Sequence, residues 1–236
     1  MKLPNSEGKQ SIGLMGGTFD PIHLGHLVTA EEVRIKFCLD KVIFIPSGHP
    51  PHKEARDVSN PEHRYLMTVL ATITNPYFNV SRVEIERTQA ERTYTIETIR
   101  FFHRHYAGRA NLFFISGADA ILEILTWKDY RELLSICSFI AATRPGYSLS
   151  KLEETIGAVC PEALCNIYVV EIPAMAISST FIRNRVSEGK SIKYLTSEAV
   201  TQYILKNGLY STTLKIAPTT IPPSHPGNSP LPPGEG

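Results

Sequence analysis

Two histidines three residues apart, His23 and His26, stand in the stretch GGTFDPIHLGHL at residues 16–27, directly after the apolar run IGLM at 12–15. Gly16 and Gly17 lack a Cβ, so the chain can turn sharply there and bring its N–H groups close to a bulky anion. Asp20-Pro21 is a turn and helix-entry pair: the carboxylate suits a cap and the proline a first helical position, which predicts a helix starting near residues 21–24. His23 and His26 then share one face of its first turn, where the helix dipole and free N–H groups favour negative charge. Two imidazole donors in that place fit phosphate oxygens. The same residues also suit a histidine pair that merely caps a helix. A zinc site through H-x-x-H finds little support, because Cys38, Cys137, Cys160 and Cys165 show no finger-like spacing. No Gly-Lys-Ser/Thr closes the stretch and no G-x-G-x-x-G precedes it, which excludes the Walker loop and the dinucleotide fingerprint.

A second stretch, AISSTFIRNRVSEG at 176–189, carries Ser178, Ser179 and Thr180, strong helix-start residues, with Arg183 one turn further on. Hydroxyls, N–H groups and a guanidinium converge there on a second place suited to an anion, or form an ordinary capped surface helix.

Together GGTFDPIHLGH and ISSTFIR resemble the paired signatures of the nucleotidyltransferase superfamily. PSGHPPHK at 46–53, RTYTIET at 92–98, SGADAILEILTWKDYREL at 116–133 and ATRPGY at 142–147 are similar to the nicotinate-nucleotide adenylyltransferase family within it. With SIKYLTSEAVTQYILKNGLY closing the pattern, the resemblance runs over about residues 11–210. It implies transfer of the adenylyl group of ATP to nicotinate mononucleotide, giving nicotinate adenine dinucleotide and pyrophosphate in NAD biosynthesis. No covalent enzyme intermediate is needed, so positioning and electrostatics carry the catalysis.

Carried over residue by residue, the resemblance implies that His23, His26 and Arg183 are catalytic. Gly16, Gly17, Thr18 and Phe19, with Ser178 and Ser179, then meet ATP phosphates, Asp119 meets a ribose hydroxyl, and Arg144 joins the ATP side. On the other side Lys53 guides phosphate, Thr93, Tyr94 and Thr95 precede a helix whose N–H groups receive the nicotinate carboxylate, and Trp127 stacks on the pyridine ring. Thr93 and Asp119 also read as simple caps, Lys53 and Arg144 as solvated loop charges, and Trp127 as a core residue. Mg²⁺ is expected mainly on ATP phosphates, with no dedicated protein cage. Pantetheine-phosphate and glycerol-phosphate nucleotidyltransferases share the first signature but lack the TYT and GAD…W segments. Class I aminoacyl-tRNA synthetases share HxGH but need a lysine-rich second loop and tRNA domains. A nucleotide-sensing module without catalysis is the remaining rival.

Such residues need a frame that sets them side by side. Short apolar runs bounded by Gly, Pro, Asn or Ser recur at 11 (SIGLM), 41 (KVIFIP), 78 (FNVSRVEI), 111 (NLFFIS), 138 (SFIAAT) and 167 (IYVVEI). Between them lie helical patterns: Leu27, Val28, Val33 and Phe37; Tyr65, Leu66, Val69 and Leu70; Ile96, Ile99 and Phe102. The alternation predicts an α/β, Rossmann-like doubly wound parallel sheet with ligands beyond the carboxyl ends of its strands. The expected organisation is a short N-terminal extension (1–10), one nucleotidyltransferase domain (11–214), and a disordered tail (215–236) in which APTTIPPSHPGNSPLPPGEG holds seven prolines. Lys plus Arg number 24 against 23 Asp plus Glu, so no net field draws the chain to nucleic acid or an anionic membrane. MKLPNSEGKQ has no apolar leader core and no run approaches a bilayer span, which predicts a cytoplasmic protein; the resemblance implies ATP and nicotinate mononucleotide as its partners.

Overall fold

The computed structural model describes residues 8–49, 58–87, 93–143, 153–158, 160–173 and 175–211. Six strands pair in parallel: β1 (Gln10–Gly17), β2 (Lys41–Pro46), β3 (Phe78–Val80), β4 (Ala110–Gly117), β5 (Ser138–Thr143) and β6 (Ile167–Glu171). Their order in the sheet is β3-β2-β1-β4-β5-β6, so the winding reverses between β1 and β4. This is the doubly wound arrangement, and its ligand crevice opens where β1 and β4 diverge at their carboxyl ends.

Helices α1 (Leu24–Lys36), α2 (Pro61–Thr72), α3 (Thr95–Tyr106), α4 (Ala118–Leu122), α5 (Tyr130–Ile136), α6 (Ser179–Ser187) and α7 (Glu198–Lys206) cover both faces. Alternate residues of each central strand face opposite layers. Ile12, Leu14, Ile43, Ile45 and Phe114 pack with Ile96, Ile99 and Leu133 on one side. Phe44, Phe113, Ile115 and Ile140 pack with Val33, Met67, Ile182 and Ile204 on the other. Burial on both faces is why these strands read as continuous apolar runs rather than as alternating ones.

Two expectations change. The third strand stops at Val80 instead of reaching Ile85: the Ser81 N–H donates to the Phe44 carbonyl, after which the Ile85 and Glu86 N–H groups both donate to Arg82 O in a turn that leaves the sheet. On α2 the inward face is rotated from Tyr65, Leu66, Val69 and Leu70; the buried residues are Arg64, Met67, Thr68, Ala71 and Thr72. Thr68 and Thr72 hide their hydroxyls on carbonyls one turn back, at 2.8 Å each, and Leu66 is left 42% exposed. The rotation has its cause in Arg64, whose partners belong to the site. No helix among the described residues is long and apolar enough to cross a membrane.

Candidate active site

The chain leaves β1 through Gly16 and Gly17, which pair with Ile45 and Pro46 of β2. A Cβ on Gly17 would lie 2.8 Å from the ring of Phe19, and one on Gly16 would lie 3.1 Å from the Phe114 ring. The glycines are thus needed to let aromatic rings close over the strand end. Phe19 folds back in the left-handed region (φ 49°), is 2% exposed, and packs against Phe44 and edge-on against His26. Its side chain belongs to the core, so only its backbone is placed to meet a ligand.

Helix α1 starts at Leu24, inside the expected window, but neither Asp20 nor Pro21 takes the expected place. His23 is the N-cap. Its N–H donates to Nδ1 of His26 at 3.2 Å, which leaves the His26 proton on Nε2. The reciprocal half of this capping box, the His23 ring with the His26 N–H, falls short of a hydrogen bond because that N–H donates to the His23 carbonyl at 2.9 Å. Nδ1 of His23 is therefore a buried nitrogen without a hydrogen-bond partner among the described residues. The two imidazoles stack at 3.7 Å between centroids. Burial lowers the pKa of His23 to about 4; burial, then the neighbouring His23, lowers that of His26 to about 3. Both are neutral at pH 7 and act as dipolar donors, not as cations. Gly25 makes room for the stack: a Cβ there would lie 3.0 Å from Nδ1 of His23.

The carbonyls of this turn are held from outside it. Arg64, fully buried on α2, donates Nη1 to Thr18 O (2.8 Å), Nη2 to Gly48 O (3.0 Å) and Nε to Ser59 O (2.9 Å). Burial lowers its pKa, offset by Asp20, Tyr210 and Glu84. Arg183 of α6 donates to Asp20 O at 2.8 Å and to Thr180 Oγ1 at 3.2 Å; Ser179 donates its hydroxyl to Pro21 O at 2.8 Å. Ser178 is the N-cap of α6 and accepts from the Phe181 N–H at 3.1 Å. The two signature segments, some 160 residues apart, are thus one interlocked unit. Asp20 itself is 2% exposed and accepts from the Ser59 N–H at 3.1 Å and the Tyr210 hydroxyl at 2.7 Å.

Beside this unit, at the switch point, lies a cavity of about 410 Å³ bordered by Gly16, Gly17, Thr18, Thr93, Tyr94, Thr95 and Trp127. Trp127 sets its ring edge-to-face near Phe114 and Phe139, at 6.0 and 6.3 Å, so core packing fixes the plane it offers to the cavity. Thr93 is not the cap of α3. Its N–H and hydroxyl both reach His49 O, and Tyr94 occupies the N-cap position without a side-chain hydrogen bond, so the N-cap side chain leaves the start of α3 uncapped beside the cavity. Glu84 also lines the cavity; burial raises its pKa, and Thr98 donates to it at 2.7 Å. Asp119 is exposed in the first turn of α4 and does not line the cavity, whereas its neighbour Ala120 does. Lys53 and Arg144 lie outside the described residues.

Arg64 and Glu84 lie outside the stretches that pointed to the site, while Gly25 and Tyr210 stand inside quoted stretches with no role assigned to them there. Among the described residues no group of three or more His, Cys, Asp or Glu side chains could hold a metal ion.

The cytidylyltransferase-like family model matches residues 14–185, the span that holds the histidine turn, the cavity and α6 up to Arg185. A Moorella thermoacetica protein named "Probable nicotinate-nucleotide adenylyltransferase" is 57% identical over 210 residues, 89% of this chain and 95% of the relative. One of the same name from Thermoanaerobacter sp. (strain X514) is 55% identical over 204 residues, 86% of this chain and 96% of the relative. The chain belongs to the nicotinate-nucleotide adenylyltransferase family. A solved structure of Plasmodium falciparum nicotinic acid mononucleotide adenylyltransferase complexed with NaAD matches at TM-score 0.68 and 20% identity, over 85% of this chain and 97% of that one, and shows the shared fold. Family membership makes the chain a nucleotidyltransferase with a Rossmann-like fold.

Proposed function

We propose that the protein transfers the adenylyl group of ATP to nicotinate mononucleotide, releasing pyrophosphate and supplying nicotinate adenine dinucleotide to NAD biosynthesis in the cytoplasm. The observation that carries this reading is the adjacency of two different anion-suited places: the neutral stacked His23–His26 pair on the N-terminus of α1, and the cavity where the uncapped start of α3 stands beside Trp127. The reaction must bring two anions together and stabilise charge that develops on the α-phosphoryl oxygens and the departing pyrophosphate. Neutral imidazole donors suit this, since they stabilise negative charge without an ion pair that would hold the product.

In this reading Nε2–H of His26, the His23 ring, and the N–H groups of Thr18 and Phe19 orient the triphosphate. Ser178, Ser179 and Arg183 hold the helix that receives its far end. Ser179 and Arg183 do so while pinning the turn, which makes their action on ATP partly indirect. Trp127 stacks on the pyridine ring, and the first N–H groups of α3 donate to the nicotinate carboxylate. Asp119, Lys53 and Arg144 stay assigned by resemblance alone. The carboxylates near the turn are engaged, Asp20 by Tyr210 and Ser59, so the donor set suits an ion carried on triphosphate oxygens and water. Bound Mg²⁺ would neutralise charge on the triphosphate.

Pyrophosphate release from ATP with nicotinate mononucleotide tests the reading, and nicotinate adenine dinucleotide must form in equal amount. Tight nucleotide binding with no pyrophosphate would replace it with a sensing module.

A further inference from the structure

Tyr210 lies three residues beyond the C-cap of α7 and far in sequence from either signature, yet its hydroxyl ends on the carboxylate of Asp20, 2.7 Å away. The chain reaches that point through a turn in which the Leu209 N–H returns to Ile204 O, followed by Tyr210 itself in the left-handed region at φ 65°. Asp20 sits between Phe19, also left-handed, and Pro21, in the turn that ends at His23. Its Oδ2 accepts from Ser59 N–H, where the chain enters α2, and its carbonyl accepts from Arg183. Asp20 is thus the one residue of the turn held at both carboxylate oxygens and at its carbonyl, by three separate parts of the chain.

We infer that Tyr210 is a positioning residue for adenylyl transfer, fixing through Asp20 the turn that presents His23 and the Thr18 and Phe19 N–H groups to ATP. The inference rests on the adenylyltransferase reading of the site. Burial, then Asp20, raises the phenol pKa far above neutrality, so the hydroxyl remains a donor at any working pH. α7 is anchored independently, by Val200 and Ile204 in the core and by its own cap at Ser197. Removing the Tyr210 hydroxyl therefore leaves the helix and the ring packing in place and takes away its short bond to the turn, with a long contact to Met67 Sδ at 4.0 Å. What is lost is the fixed orientation of a buried carboxylate, and with it the placement of donors that have to match a transition state within a fraction of an ångström.

The test uses the full-length protein with Tyr210→Phe, Asp20→Asn, the double variant, and Tyr203→Phe as a control. Tyr203 bonds His63 at 2.8 Å and does not touch the turn. Initial rates with each substrate varied, measured well below the melting temperature, separate the effects. The expected result is a loss of roughly 10-fold in kcat/KM for ATP in Tyr210→Phe, with KM for nicotinate mononucleotide within about twofold of wild type. The double variant should fall no further than Asp20→Asn alone, as two ends of one bond do. Tyr203→Phe should match wild type. Wild-type kinetics in Tyr210→Phe, even with a lowered melting temperature, would overturn the inference and leave Tyr210 a structural residue. Equal losses toward both substrates would overturn it too. Should Asp20→Asn not fold, Tyr210→Phe against Tyr203→Phe decides alone. Absence of turnover in the wild type would instead remove the adenylyltransferase reading, and the inference with it.

Discussion

Lowering the pH from 7 to 5 should unfold this protein more easily, and most of the change should trace to His23 and His26. Both rings are held neutral by burial, with pKa values of about 4 and about 3 in place of 6.5. In the unfolded chain they take up protons below pH 6.5 while the folded chain does not, so stability declines as pH falls from there toward 4 and below. For His23 alone the difference in protonation at pH 5 is worth about 2 kcal/mol, and the pair together at most about twice that. In a chain of this size each kcal/mol moves the melting temperature by roughly 2–4 °C, so a drop of about 4–8 °C is expected from His23. Glu84 works in the opposite sense, because its raised pKa favours the folded state as the carboxyl protonates. The comparison with His23→Gln and His26→Gln, which cannot titrate, therefore carries the test. Thermal melts at pH 7 and pH 5 should show each variant losing several degrees less than wild type. Superimposable pH dependences for wild type and both variants would refute the neutral stacked pair.

Four other outcomes follow from the site. Gly25→Ala should lower kcat by about 10-fold or more while leaving stability nearly unchanged, since a Cβ 3.0 Å from His23 Nδ1 displaces the ring but alanine favours a helix by about 1 kcal/mol; kinetics beside a melt checks both. Arg183→Lys keeps the charge but cannot serve Asp20 O and Thr180 Oγ1 with one planar fork, so kcat/KM for ATP should fall, and wild-type ATP kinetics would remove its role. Nicotinate mononucleotide should be preferred over its amide by at least ~10²-fold in kcat/KM, because the amide sets its own N–H₂ against the N–H groups of α3; a ratio near one would discard the donor-lined pocket. A chain ending after Leu214 should keep wild-type kcat/KM, since Tyr210 is the last residue with a bond to the turn among those described, and a large loss would give the proline-rich segment a part in the site.

Signals that are local in sequence were legible, and those that depend on distant partners were not. The strands announce themselves by short apolar runs, and Ser178 reads as a cap because its hydroxyl bonds an N–H only three residues away. Asp20 reads as a cap by the same rule, but its partners are 39 and 190 residues away, and no spacing pattern records that. Arg64 is the sharper case. In PEHRYLMTVL it looks like an outward charge on an amphipathic helix, yet it is wholly buried because three loop carbonyls need a donor. An arginine fits there since its fork can serve all three at once. Gly25 gives no signal in the sequence, because a glycine inside a helix carries no chemistry of its own; its need appears only with the His23 ring packed against it.

The same carbonyl bonds set the polarity on which the proposed phosphate contacts of this short turn depend. Gly17 O accepts from the Ser47 N–H, Thr18 O from Arg64, Asp20 O from Arg183, Pro21 O from Ser179 and Ile22 O from Thr196. Each of these draws a carbonyl toward the body of the protein. In a planar trans peptide the N–H points opposite to the C=O, so pinning Gly17 O and Thr18 O turns the N–H groups of Thr18 and Phe19 the other way. The carbonyl oxygens, which would repel a phosphate, are thereby engaged on the far side of the peptide planes. A buried arginine outside the signatures thus helps set the polarity of the turn between β1 and α1, and the signatures alone, transplanted without α2 and α7 with the turn after it, would not reproduce it.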